Sequence, residues 1–226
     1  GINYVGTANE LRGCITDMDT HKEILTKHYG FQPENILTLT EEEEKSNWPT
    51  KERILEGFTW LVEGATAGEQ LFFAYSGHGS QKPDKTGNER DKKSEVLCPL
   101  DVANGLRDEN VIFDTEIHYY LHDLVPEGVK LTCVFDCCHS GTVENLAVKR
   151  DFEPPPQPED MAPKPDTRDR YIPWPEESAF SPSAWRACTS PQAAGSAPRS
   201  VDAKDYTHMV WEYSGCQDNQ TSADAW

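Results

Sequence analysis

Two continuous apolar runs dominate the pattern, Gln70-Leu-Phe-Phe-Ala-Tyr75 and Lys130-Leu-Thr-Cys-Val-Phe135. Each has the length and composition of a buried strand. Each then breaks into a polar, glycine-containing turn, Ser76-Gly-His-Gly79 and Asp136-Cys-Cys-His-Ser-Gly141. Between and before them the pattern turns helical. Cys14 to Tyr29 reads as a helix closed by Gly30. After Trp48-Pro49, Thr50 is placed to cap a second helix. Its apolar residues Ile54, Leu55, Phe58, Leu61 and Val62 fall on one face. Asp114 to Leu124 reads as a third. Residues 1–5 look like the stub of a first strand, and Asn35-Ile-Leu-Thr-Leu-Thr40 is a short β-rich run. A polar loop is expected over about 80–95.

This alternation predicts an α/β fold with helices flanking a mostly parallel central sheet. In an open parallel sheet, ligands and catalytic groups gather at the carboxyl ends of the strands. The His78 turn and the Cys138 turn would both lie on that edge.

Past residue 150 the composition changes. Residues 151–200 hold eleven of the sixteen prolines, Pro154-Pro155-Pro156 among them. They read as a solvated connector with a docked patch around Trp174 or Trp185. Order restarts at His208-Met-Val-Trp-Glu-Tyr213. The organisation expected is a catalytic domain over 1–150, a Pro-rich connector over 151–206, and the start of a further segment over 207–226.

Charge narrows the partners. Lys and Arg total 21 against 39 Asp and Glu, a net charge of −18 over 226 residues. Such a surface repels phosphate backbones and anionic lipid, so neither nucleic acid nor membrane is an expected partner. It suits cationic partners: basic peptides, Arg- or Lys-containing substrates, or divalent metal ions. No run approaches the length of a membrane span. The seven cysteines show no framework spacing, which fits free thiols in a reducing compartment such as the cytoplasm. The opening at Gly1, inside an apolar run and without Met, leads us to expect residues upstream.

The cysteines also supply chemistry. A nucleophilic thiol needs a proton partner, donors for an oxyanion, and exposure at a turn. Cys138 and His78 answer the first need, if their strands are neighbours. The backbone N–H groups of Gly79 and Cys138 are candidates for the oxyanion hole. Cys137 would point into the core instead, and His139 reads as a turn residue.

Four motifs in order, Leu11-Arg-Gly-Cys-Ile-Thr-Asp17, Tyr75-Ser-Gly-His-Gly79, Asp136-Cys-Cys-His-Ser-Gly141 and Ser214-Gly-Cys-Gln-Asp-Asn-Gln-Thr-Ser-Ala-Asp224, resemble those of the metacaspases, type I more than type II. These are caspase-like cysteine peptidases. The resemblance implies a caspase-like fold, Cys138 as nucleophile and His78 as general acid/base. It also implies a substrate pocket of Asp17 and Asp136 with Cys14 and Ser76 beside them. Two carboxylates there suit a guanidinium or ammonium group, so cleavage after Arg or Lys is expected. The signature Gln-Ala-Cys-x-Gly of animal caspases is absent. The same likeness implies a monomer, a link to programmed cell death, and autoprocessing, for which Lys149-Arg150 and Arg168-Asp-Arg170 are candidate points.

Calcium activates many members of that family through a set of carboxylates. The corresponding positions here read Ser94, Asp114, Thr115 and Asn145, so one carboxylate remains. Calcium takes six to eight oxygens and its affinity grows with ligand charge. The expectation is a degraded site centred on Asp114, which neighbouring Glu89, Asp91, Glu95 and Glu144 could supplement, and no required cofactor, with calcium still open as the family's activator.

Other readings stand beside these. The chain could be a caspase-fold pseudoenzyme or interaction module, or a metal-dependent hydrolase built on its His and Cys residues. Asp17 could simply cap or salt-bridge its helix. His118 and His122, at i and i+4, are assigned packing and solvent roles rather than zinc binding. The run Glu41-Glu-Glu-Glu44 is assigned a solvated helix start or loop. Asp218 and Asp224 could position substrate or merely order a loop.

Overall fold

The computed structural model describes residues 1–83, 93–137, 168–174, 209–214 and 223–224. Its centre is a parallel three-stranded sheet, with β5 (Lys130–Asp136) between β1 (Gln70–Ser76) and β7 (Met209–Ser214). The pairing of β1 with β5 runs in step from Gln70↔Lys130 to Ser76↔Asp136. Ser76 and Asp136 therefore stand level at the carboxyl edge, and Gly77 N–H still donates to Asp136 O at 3.3 Å. Tyr75, Leu131, Cys133 and Phe135 belong to the core, with Phe58 of a flanking helix.

Helix α1 (Cys14–His28) ends as its sequence predicts, with Gly30 at φ +76°. Helix α2 (Lys51–Val62) starts at Thr50, whose hydroxyl accepts the Arg53 amide at 3.3 Å. Its buried face is Ile54, Phe58 and Val62, and Leu55 and Leu61 pack against the core at its margin. The ammonium of Lys51 fixes that end by donating to Val111 O at 2.6 Å and to Glu116 at 3.1 Å.

Four stretches differ from the sequence reading. First, the expected loop over 80–95 contains β2 (Gly79–Pro83) and β3 (Lys93–Leu97), antiparallel to each other, with β4 (Ile112–Phe113) added to β3. Ser80, Gln81 and Lys82 are buried although polar. The ladder satisfies their backbone, Gln81 bonds Glu95, and Lys82 pairs with Asp108. Polarity therefore does not mark this segment as a loop.

Second, Asn35–Thr40 forms no strand. A groove of about 670 Å³, lined by Leu37 and Leu39 as well as Phe72 and Ala74, lies beside β1. A β-rich sequence without a neighbour at ladder spacing stays unpaired. Third, residues 1–5 form no strand either. Ile2 N–H donates to Ser76 O, and the backbone then turns at Tyr4, φ +50°.

Fourth, the helix predicted over 114–124 is α3 (Asp114–His118) followed by a π-helical turn over Tyr119–Asp123. The widened turn leaves His118 and His122 stacked at 4.5 Å, with both Nδ1 atoms facing Asp123.

Two short strands complete the description. β6 (Arg168–Asp169) pairs antiparallel with β8 (Ala223–Asp224). Among the described residues no helix is long and apolar enough to cross a membrane, and Cys14, Cys98, Cys133 and Cys137 are buried.

Tyr4 ties the opening loop to the rest of the fold. Its buried hydroxyl accepts the His78 amide at 3.0 Å and donates to Cys98 O at 2.5 Å. Tyr4→Phe removes both bonds from a dry site and is expected to cost about 1–3 kcal/mol. Urea denaturation monitored by circular dichroism measures the loss, and an unchanged midpoint would show that the hydroxyl is not holding the loop.

Candidate functional site

The carboxyl edge of β1 and β5 collects most of the described site residues. Beyond Ser76 the chain passes Gly77 and reaches His78, whose ring is buried. A Cβ on Gly77 would sit 2.9 Å from the Tyr75 hydroxyl oxygen and 3.1 Å from that of Tyr4. Only glycine lets the two phenols approach this close. Tyr75 Oη lies 2.8 Å from His78 O and 3.0 Å from Cys98 O, sharing its proton between them. Cys98 N–H donates to His78 O at 3.1 Å. The His78 backbone is thus held on both sides, and burial pushes both phenols well above their ordinary pKa.

The imidazole is held as well. Its ring lies 4.8 Å from the Tyr4 ring, and Nε2 is 2.7 Å from Asn9 O. A carbonyl can only accept, so Nε2 carries the proton and Nδ1 is the basic nitrogen of the neutral ring. Asn9 was invisible in the sequence because it acts through its main chain. Its loop is braced by Glu41, whose carboxylate accepts the amides of Asn3 at 2.6 Å, Tyr4 at 2.8 Å and Val5 at 3.0 Å. Glu41 is thus a structural anion, drawn from a run expected to be merely solvated.

The second half of the site is a cationic side chain between two carboxylates. Arg170 is 4% exposed. Its Nη1 lies 2.7 Å from Asp136 Oδ2 and donates to Ser76 Oγ at 2.6 Å and to Asp136 O at 3.1 Å. Its Nη2 donates to Asp17 Oδ2 at 3.1 Å. Ser76 Oγ in turn donates to Asp17 Oδ2 at 2.6 Å. Asp17 stands in the first turn of α1, where the helix dipole favours a carboxylate. The acidic pair is only partly covered, at 34% and 38% side-chain exposure. His21, one turn along α1, packs on Phe72 at 5.5 Å. Burial lowers its pKa, opposed by the charges of Asp17 and Asp136.

The backbone of Arg170 is engaged too. Gly79 N–H donates to Arg170 O at 2.9 Å, and Ile172 N–H donates to Gly79 O at 3.2 Å, a parallel bridge centred on Tyr171. Just before it, 168–169 pair with 223–224. The segment is held on one side by β8 and on the other by the start of β2.

The structure therefore brings together Asp17, Ser76, His78, Gly79 and Asp136. Cys14 is fully buried in the core, its amide bonded to Asn3 Oδ1 at 3.1 Å. Cys138 and Asn145 lie outside the described residues, as do His139, Lys149, Arg150, Trp185 and Asp218. Cys137 is buried in the core. In the sequence Arg170 is visible only as a candidate processing point, and nothing there signals its seat in the acidic pocket.

The calcium positions can be examined in part. Asp114 Oδ1 accepts the Thr115 amide at 2.6 Å, and Ser94 lies on β3. Among the described residues, the group of three or more His, Cys, Asp or Glu ligand atoms is His118, His122 and Asp123. That donor set, two imidazoles and one carboxylate, does not suit a cation that takes oxygen.

Comparison with known proteins places this geometry. The family model described as metacaspase, peptidase C14 domain matches residues 1–147, a span containing both His78 and Cys138. Metacaspase-1 of Arabidopsis thaliana is 43% identical over 147 residues, covering 65% of this chain and 39% of that protein. Metacaspase-1 of Candida glabrata is 41% identical over 147 residues, covering 65% and 36%. Metacaspase-1 of Cryptococcus neoformans is 41% identical, covering 65% and 31%. The chain thus spans well under half the length of these curated relatives. A crystal structure of a protein from Geobacter sulfurreducens superposes with a TM-score of 0.62 at 25% identity, over 100% of this chain and 74% of that one. With more than half its length matched by the family model, the chain belongs to the metacaspase family of C14 peptidases.

Proposed function

We propose that the chain acts as a cysteine endopeptidase cleaving after Arg or Lys, with Cys138 and His78 as its dyad. One observation carries the specificity: Arg170 sets its guanidinium between Asp17 and Asp136 while its carbonyl accepts the Gly79 amide. The residue before a scissile bond must do both at once, filling the specificity pocket and offering its carbonyl to an oxyanion donor. An Asp side chain in the same seat would face two like charges.

The mechanism follows from the tautomer. His78 Nδ1 takes the Cys138 thiol proton, and the thiolate sulfur bonds to the scissile carbonyl carbon. The Gly79 and Cys138 amides stabilise the resulting oxyanion. As the C–N bond breaks, His78 returns the proton to the leaving amine. Water, deprotonated by His78, then hydrolyses the thioester and restores the thiol. Substrates are proteins and peptides with basic residues, the working unit is a monomer in a reducing compartment such as the cytoplasm, and no metal is required.

Paired fluorogenic peptides ending in Arg and in Asp test the reading on the wild type and on Cys138→Ala. Cleavage after Arg alone is expected, lost in Cys138→Ala. Asp17→Ala and Asp136→Ala should each lower kcat/KM for the Arg peptide by about 10²-fold. Equal rates on both peptides, or activity surviving in Cys138→Ala, would refute it. Long-range ¹H–¹⁵N correlation spectra should find neutral His78 protonated on Nε2, and the opposite tautomer would remove its assigned role as base. Calorimetry should detect no micromolar calcium binding. Such binding, lost in Asp114→Ala, would sink the metal-independent reading.

A further inference from the structure

The pocket and dyad account for the residue before the scissile bond and leave unexplained what holds the chain beyond it. Tyr171 to Trp174 follow Arg170 beside β2. Residue 171 bridges Gly79, and residue 174, three further on, meets Lys82, three further along β2. The bridge at residue 171 is isolated, and beyond it the segment meets β2 through side chains.

Two side chains of the segment are anchored. Ile172 is 8% exposed and joins the hydrophobic core cluster, while its amide donates to Gly79 O. Trp174 packs against the core with its ring 5.2 Å from Lys82 Nζ. That ammonium also lies 5.7 Å from the Phe113 ring and is paired with Asp108. Lys82 thus stands between two aromatic faces at a site it could hardly occupy without a counter-ion. Tyr171 between the anchors is half-buried, and Pro173 is exposed.

From this we infer that β2 is a recognition track for the leaving side of a peptide substrate. It has an aliphatic slot for the second residue after the basic one and a Lys82–Phe113 shelf for an aromatic side chain at the fourth. The inference rests on the proposed peptidase reading, with Arg170 as the mimic of the residue before the cut. The preferred substrate class is a peptide of the pattern basic, any, aliphatic, any, aromatic. A charged second residue would have to enter an apolar slot. An aliphatic one gains its burial and keeps the backbone bond to Gly79.

Binding tests this without requiring turnover. The full chain carrying Cys138→Ala and Arg170→Ala is titrated into fluorescein-labelled Arg-Asp-Arg-Tyr-Ile-Pro-Trp and read by anisotropy. Replacing the peptide's Ile by Asp is expected to weaken binding by about tenfold or more, as for withdrawing a buried aliphatic group. Replacing its Trp by Ala should weaken binding by about threefold. Equal affinity for all three peptides would overturn the track. Replacing the peptide's second Arg by Asp tests the pocket separately. If that change costs nothing, the reading of specificity fails, whatever the other positions show.

Should Arg170→Ala unfold the chain, the same peptides are added to the intact chain carrying Cys138→Ala alone. Trypsin cutting at Arg170–Tyr171, with the added peptides N-methylated at the bond after each Arg so that they survive the protease, then reports displacement of the native segment. The parent peptide should expose that bond at concentrations where the Ile→Asp peptide leaves it protected. Equal exposure by both would overturn the inference.

Discussion

β1 and β5 run parallel and in step, so that Ser76 stands level with Asp136 at the carboxyl edge of the sheet. Everything functional hangs from that alignment. A slip of one residue would turn each strand's side chains to the opposite face. Ser76 and Asp136 would then no longer flank one guanidinium, and the turn holding His78 would leave the edge one residue too early or too late. Leu131, Cys133 and Phe135 of β5 are buried, and Leu71 and Phe73 of β1 pack against the same core, so the core penalises such a slip. The precision of the site is inherited from the packing beneath it.

On that edge the electrostatics are local. The chain carries a large excess of negative charge, yet two carboxylates sit together because Arg170 reaches them from a segment more than thirty residues beyond Asp136. Both are about one-third exposed, so water screens each pair, and each stabilises the fold by about 1 kcal/mol or less. Geometry, more than energy, sets this pairing apart. A flat guanidinium fits two carboxylates and a hydroxyl at once, whereas an anion in that position meets repulsion from both sides.

The sequence made the strands and helices visible where a single periodicity governed them. The runs 70–76 and 130–136 are continuous and apolar, and α2 shows its cap and its buried face. The strand-end turns could be marked as chemical because histidine, cysteine and glycine concentrate there. What stayed hidden depends on main-chain atoms or on absent neighbours. Asn9 acts through a carbonyl, which no residue letter encodes. Glu41 acts as an anion cap for three amides that are close only in the fold. The β2–β3 hairpin buries Ser80, Gln81 and Lys82, reversing the usual link between polarity and exposure. Asn35–Thr40 has the composition of a strand and no partner to make it one.

The two phenols beside His78 give alkali a point of attack. Their pKa values are raised in the fold, while an unfolded chain ionises them near pH 10. Folding stability contributed by Tyr4 and Tyr75 is therefore complete below that pH. It drains away as pH rises through and beyond it, because the unfolded state gives up protons that the folded state retains. The oxygens that titrate are the ones that hold the His78 backbone. On the alkaline side, the geometry of the candidate base and the cohesion of the molecule share one proton ledger, and neither can fail without the other.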